Sequence, residues 1–147
     1  MAAWELIPVS CGINLVVDES GIDVGLVVGN LEQSLAFYTN ILGLDISGRM
    51  HLPRVGKIIF LRAGCSAIKL IQRESEPGVS VVRGGLRGNA AGLRYLTVHV
   101  KDLAGLVARC DAAGHKVAMR PKIFAASVTI AAIEDPEGNW IELQHQS

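Results

Sequence analysis

Aromatic residues are scarce, at 5% of the chain. That argues against a platform for stacking nucleic-acid bases. No charge of one sign dominates either, with 14 basic residues against 14 acidic. Neither a basic stripe for nucleic acid nor an acidic solvating tail is expected. Cysteine is sparse and odd in number: Cys11, Cys65 and Cys110 stand far apart, and no CxxC spacing occurs. A zinc knuckle or a disulfide framework is therefore not expected. Reduced thiols of a cytoplasm fit this usage, and Cys65 and Cys110 read as small buried hydrophobes. The apolar runs fall far short of the ~18 residues of a membrane span. Residues 1–9 contain Glu5 and Pro8 and no basic cluster, unlike a signal peptide.

What the chain does have is apolar residues, half of the total. Its 147 residues make one domain, or two small halves that share a core. A stretch at 13–17 reads as a short extra strand. From Ile22 the pattern sharpens. Asp23 to Val28 reads as a strand, and Asn30 with Gln33 three residues on signals a helix start. Leu31, Leu35, Tyr38, Ile41 and Leu42 then recur at helical spacing, and Gly43 ends the helix. Strands follow at Leu44 to His51, Lys57 to Arg62 and Ser66 to Ile71. A glycine-rich linker covers about 73–92.

The same plan then returns. Tyr95 to Val100 reads as a strand, and Asp102 as an N-cap. Leu103, Leu106, Val107 and Cys110 form a helical face that Gly114 closes. Strands are expected at His115 to Arg120, Ile123 to Ile133 and Asn139 to Gln144. Placing Val28 on Val100 puts Asn30 on Asp102 and Leu31 on Leu103, a period of about seventy residues. The expected fold is α+β: two βαβββ modules, about 22–72 and 93–145, in a single domain. Their free sheet faces come together as one curved trough.

Three stretches carry a resemblance. They are Ser34-Leu35-Ala36-Phe37-Tyr38-Thr39-Asn40-Ile41-Leu42-Gly43-Leu44, Val98-His99-Val100-Lys101-Asp102-Leu103, and Asp135-Pro136-Glu137-Gly138-Asn139-Trp140-Ile141-Glu142-Leu143. Together they resemble the vicinal oxygen chelate superfamily of glyoxalase I, bleomycin-resistance proteins, extradiol dioxygenases and methylmalonyl-CoA epimerase. The resemblance implies a homodimer that binds a small molecule. It also implies four ligand places, on the first and last strand of each module. Here those places hold Asp23, Lys69, Tyr95 and Glu142. A lysine ammonium has no acceptor and repels a divalent ion. No metal and no cofactor are therefore expected.

Strand parity turns Asp23, Lys69, Tyr95, Thr97, His99, Trp140 and Glu142 to the trough. His51 falls at its rim, whereas His115 reads as exposed. Lys69 either neutralises Asp23 or Glu142, or takes part in proton transfer. In the catalytic reading Glu142 or Asp23 moves the proton, while Lys69 and Tyr95 hold the developing negative charge. His99, Trp140, Thr97 and His51 then contact substrate. The expected function is a metal-independent lyase, isomerase or epimerase. One alternative is a sequestering protein similar to bleomycin-resistance proteins. Another is a metal enzyme with Asp23, His99 and Glu142 as ligands.

Overall fold

A computed structural model describes residues 21–147. The strand expected at 13–17, and Cys11, lie outside the described residues. The chain forms β1 (Val24–Val27), α1 (Leu31–Ala36), β2 (Asp45–Leu52), β3 (Gly56–Ala63) and β4 (Ser66–Arg73). After a connecting segment come β5 (Tyr95–His99), α2 (Leu103–Ala112), β6 (Val117–Ala125), β7 (Val128–Glu134) and β8 (Trp140–Gln146). Two four-stranded sheets result, ordered β1-β4-β3-β2 and β5-β8-β7-β6. In each, the first and last strands of the module run parallel and the other neighbours are antiparallel. The repeat holds at residue level. Gly25 pairs with Lys69 in one sheet, as Thr97 pairs with Glu142 in the other.

Both helices start on the expected caps. Asn30 accepts from the Gln33 amide at 3.0 Å and Asp102 from the Gly105 amide at 2.8 Å. α1 then widens into a π turn over Phe37–Ile41, where Leu42 donates to the Phe37 carbonyl. Gly43 (φ 71°) and Gly114 (φ 73°) take the left-handed turn that ends each helix segment. The core lies between the helices and the inner sheet faces. Leu61, Leu70, Ile141 and Leu143 are completely buried in it, beside Phe37, Tyr38 and Cys110. Each such aliphatic side chain contributes roughly 1.5–3 kcal/mol.

Three expectations need correcting. Ile123 to Ile133 is not one strand: β6 runs on through Pro121 to Ala125, and the chain reverses at Ala126-Ser127. Pro121 is tolerated because β6 is an edge strand with shifted register around it. Cys65 is exposed rather than buried, because the β3–β4 turn projects outward. His115 is half-buried, its ring edge-on to Phe37 at 5.0 Å between centroids.

The turn between β7 and β8 bolts the second module to the first. Asp135 is 3% exposed and accepts from four donors. These are the Gly138 and Asn139 amides, the Asn139 side chain, and the Tyr38 hydroxyl at 2.8 Å. Glu137 accepts from the Gly29 and Asn30 amides, just before α1. Burial first, and then the adjacent Asp135, push the Tyr38 phenol well above its ordinary pKa. It therefore stays a neutral donor across the working pH range.

Candidate functional site

Glu142 stands on β8 between Ile141 and Leu143, both fully buried. Alternation sends its carboxylate to the opposite, concave face. There it is half-buried and accepts a 2.9 Å hydrogen bond from the Thr97 hydroxyl. Among the described residues no cation pairs with it. It lines a cavity of about 250 Å³ with Tyr95, Trp140, Ile130 and Ala132 from the same sheet. Leu86 and Arg87 close one side from the connecting segment, while Met119, Lys122 and Phe124 close another from β6.

The connecting segment is not a loose linker. Its Gly85–Arg87 turn lies directly on Trp140: a Cβ on Gly85 would fall 2.1 Å from the indole Cδ2. The Arg87 guanidinium stands 5.9 Å from the Trp140 ring centroid. Arg94 donates to the Gly85 and Val82 carbonyls, and Arg83 reaches Glu134. Trp140 is consequently 8% exposed, with one ring face covered by protein. It forms an edge of the cavity rather than an open stacking platform. A glycine is required at position 85 by this contact and by its left-handed φ of 49°. Gly85→Ala should lift the segment from the indole at a cost of about 1–3 kcal/mol. A lowered Tm and a changed Trp140 fluorescence would report it.

Beneath the segment lies a charged cluster that the sequence did not reveal. Glu134, 4% exposed, accepts from Arg83, from Lys116 at 2.9 Å and from the Trp140 indole at 3.2 Å. Burial alone would raise its pKa. The bonds from Lys116 and Arg83 outweigh burial, and the carboxyl sits below its ordinary value. A depressed carboxylate stabilises the fold above its unfolded pKa, and that stability is lost as pH falls through the folded value. Unfolding free energy should therefore be flat near neutrality and decline below pH about 4.5, the ordinary carboxylate range. Urea titrations across pH should show a shallower acid decline in Glu134→Gln.

The four places implied by the resemblance separate into two pairs. In the first module Lys69 Nζ lies 2.9 Å from Asp23 Oδ2. Asp23 also accepts from the Ala67 amide, and the Lys69 and Ala67 bonds hold its carboxyl below the usual range. Lys69 further sits 5.7 Å over the Phe60 ring. In the second module Tyr95 and Glu142 line the cavity together. Thus Lys69 neutralises Asp23, and Glu142 is left to Thr97.

Of the other candidates, Thr97 reaches Glu142 on the cavity wall through its hydroxyl, whereas His99 and His51 lie apart from the cavity. Thr97 and His99 line a separate cleft of about 690 Å³, bounded by Gly64 and Ser66 on one module and Asp102 and Arg109 on the other. This is the counterpart of the place where Glu137 docks beside α1. The β3–β4 turn has no equivalent carboxylate, so the space stays open. His51 ends β2 and approaches Glu74 at 3.7 Å.

The donor set does not fit a divalent metal. The Lys69 ammonium already occupies an oxygen of Asp23, and a cation there opposes a second one. Among the described residues no cluster of three or more His, Cys, Asp or Glu is arranged to hold a metal ion. Two charged contributors to the cavity escaped sequence reasoning, Arg87 and Lys122, along with its apolar walls. Only the fold shows that the glycine-rich segment returns to the second sheet.

Comparison with known proteins agrees with this architecture. The model of the Glyoxalase/Bleomycin resistance protein/Dioxygenase superfamily matches residues 19–143. The chain is 30% identical over 86 residues to mitochondrial methylmalonyl-CoA epimerase of Homo sapiens, a match covering 57% of this chain and 48% of that protein. The matched region thus spans about half the length of that relative. A glyoxalase family protein from Bacillus cereus superposes with a TM-score of 0.73 at 21% identity, covering 93% of this chain and 98% of the other. An antibiotic binding protein from a Streptomyces species superposes with a TM-score of 0.62 at 22% identity, covering 85% and 93%. These two likenesses show a shared fold, and the family match extends it to descent: the chain belongs to the glyoxalase/bleomycin resistance protein/dioxygenase superfamily.

Proposed function

We propose that the protein is an epimerase-like enzyme that moves a proton at a carbon beside a carbonyl, with Glu142 as the base and no divalent metal. The observation that carries this is the state of Glu142. It is a half-buried carboxylate on a cavity wall, hydrogen-bonded by Thr97 and in no ion pair among the described residues. The C–H bond of the substrate breaks as an O–H bond forms on Glu142. Tyr95, on the same wall, donates a hydrogen bond to the resulting enolate oxygen. Inversion follows when the planar enolate turns its other face to Glu142 before the O–H bond breaks and the proton returns to carbon; return without that turn gives exchange with retention. Asp23 and Lys69 satisfy each other and act as a structural pair where metal-using relatives place ligands. The name of the epimerase relative supports this class of chemistry.

Incubation with methylmalonyl-CoA in D2O with a chelator tests the reading. Mass spectrometry should show one deuterium entering the substrate, and none with Glu142→Gln. Exchange that appears only after a divalent metal is added would sink the metal-free mechanism. A sequestering role is the second reading. The apolar walls, Leu86, Met119, Phe124 and Ile130, favour it, as does the antibiotic binding protein of the same fold. In that case no exchange occurs and Glu142→Gln leaves ligand affinity unchanged.

A further inference from the structure

We propose that Arg87 and Lys122 form an anion clamp that makes the 250 Å³ cavity selective for small molecules carrying a carboxylate beside the reacting carbon. The inference rests on the reading of Glu142 above for the reacting carbon, but not for the anion. The two cations arrive from different elements. Arg87 comes from the Gly85–Arg87 turn, and Lys122 from bulged β6, opposite the cavity-lining Ile130. Both side chains are exposed, and among the described residues neither has an acidic partner; what sets them apart from the other unpaired cations, such as Arg49, Arg73 and Lys101, is that they line this cavity. The contact of Arg87 with Trp140 uses the ring face and occupies no N–H donor with a carboxylate.

The position of Arg87 is fixed from below. Gly85 abuts the Trp140 ring, Arg94 ties back the Gly85 carbonyl, and Arg83 anchors the segment on Glu134. A guanidinium on so constrained a turn presents its fork without a large ordering cost. The cavity charges are two positive and one negative, from Arg87, Lys122 and Glu142. A carboxylate at the cations would leave the neutral carbon-acid end of the ligand toward Glu142. The volume suits a compact acid rather than a large planar drug. Leu86, Met119 and Phe124 cover its apolar substituents.

Binding of monoethyl malonate, an anion, is compared with that of diethyl malonate, its neutral analogue, by NMR line broadening at millimolar concentration. Both are measured on the wild type and on Glu142→Gln, Arg87→Gln and Lys122→Gln. The anion should bind the first two. Each cation substitution should weaken it about tenfold or more, the usual scale for a hydrogen bond to a charged group. Added salt should weaken it too. The neutral diester should show no dependence on Arg87 or Lys122. No detectable anion binding, or binding in Arg87→Gln and Lys122→Gln equal to that of the wild type, overturns the clamp. Anion binding lost in those variants while no deuterium enters any substrate keeps the clamp and removes Glu142 as a base. Deuterium exchange with unaltered anion affinity in the variants does the reverse.

Discussion

Replacing Asp135 with alanine should lower the melting temperature by about 10 °C or more. Asp135 is almost fully buried and serves four donors from two modules. Its removal leaves the Tyr38 hydroxyl and the Asn139 amide without their acceptor inside the protein. Each orphaned buried group costs about 1–3 kcal/mol. The sum, about 2–6 kcal/mol, is a large part of the roughly 5–15 kcal/mol that holds a domain together. For a chain of this size each kcal/mol shifts Tm by about 2–4 °C. Tyr38→Phe removes the phenol and its need together, so it should cost only about 1 kcal/mol. The double variant should then be less unstable than the sum, by about 1 kcal/mol or more. Additive losses in denaturant unfolding would show that the bond does not couple the modules.

That turn was legible in the sequence as a turn, but not as a bolt. Asp135-Pro136 and Gly138-Asn139 announce a chain reversal by local chemistry. The partner of Asp135 is Tyr38, 97 residues earlier, and no local signal links them. The same divide runs through the whole chain. Caps at Asn30 and Asp102, glycine stops at Gly43 and Gly114, and strand parity around Lys69 and Glu142 depend on near neighbours. All of them appear in the structure. The repeat was visible because both modules use one pattern of caps and apolar faces. Its register, Gly25 with Lys69 and Thr97 with Glu142, follows from that pattern.

What escaped depends on the return of the chain over itself. Gly84 to Gly92 looked like a flexible connection, because glycine is the residue of loose linkers. Here Gly85 is a contact residue whose missing Cβ admits the Trp140 ring. Glu134 lies just past the strand expected to end at Ile133 and drew no expectation. Its burial follows from Arg83 and Lys116 folding over it, one from the connecting segment and one from the loop after α2. The β6–β7 reversal at Ala126-Ser127 carries no glycine or proline, and the break expected between Arg120 and Ile123 falls inside β6, which continues through Pro121. The choice of Lys69's partner was open in the sequence, since Asp23 and Glu142 share a face type. Parallel pairing of β1 with β4 puts Asp23 near Lys69 and resolves it.

Glu142→Gln should reduce turnover in the exchange reaction by about 10²–10⁴-fold, the usual contribution of a positioned general base. The amide keeps the size of the side chain and an oxygen for the Thr97 hydroxyl, so the cavity should keep its shape and KM should change little. A loss confined to kcat is what removal of a group acting only in the transition state produces. Glu142→Asp keeps the base but draws it back by about one methylene, and misplacement of about 1 Å can cost on the order of 10²-fold. The variant should thus fall between wild type and Gln. In the proposed mechanism Thr97 acts as a positioning residue through its 2.9 Å hydrogen bond to Glu142. Thr97→Val should lower kcat while Thr97→Ser restores it, since serine keeps the hydroxyl donor. Wild-type exchange in Glu142→Gln would remove this carboxylate from the chemistry. Equal losses in Thr97→Val and Thr97→Ser would reduce the threonine to a packing residue.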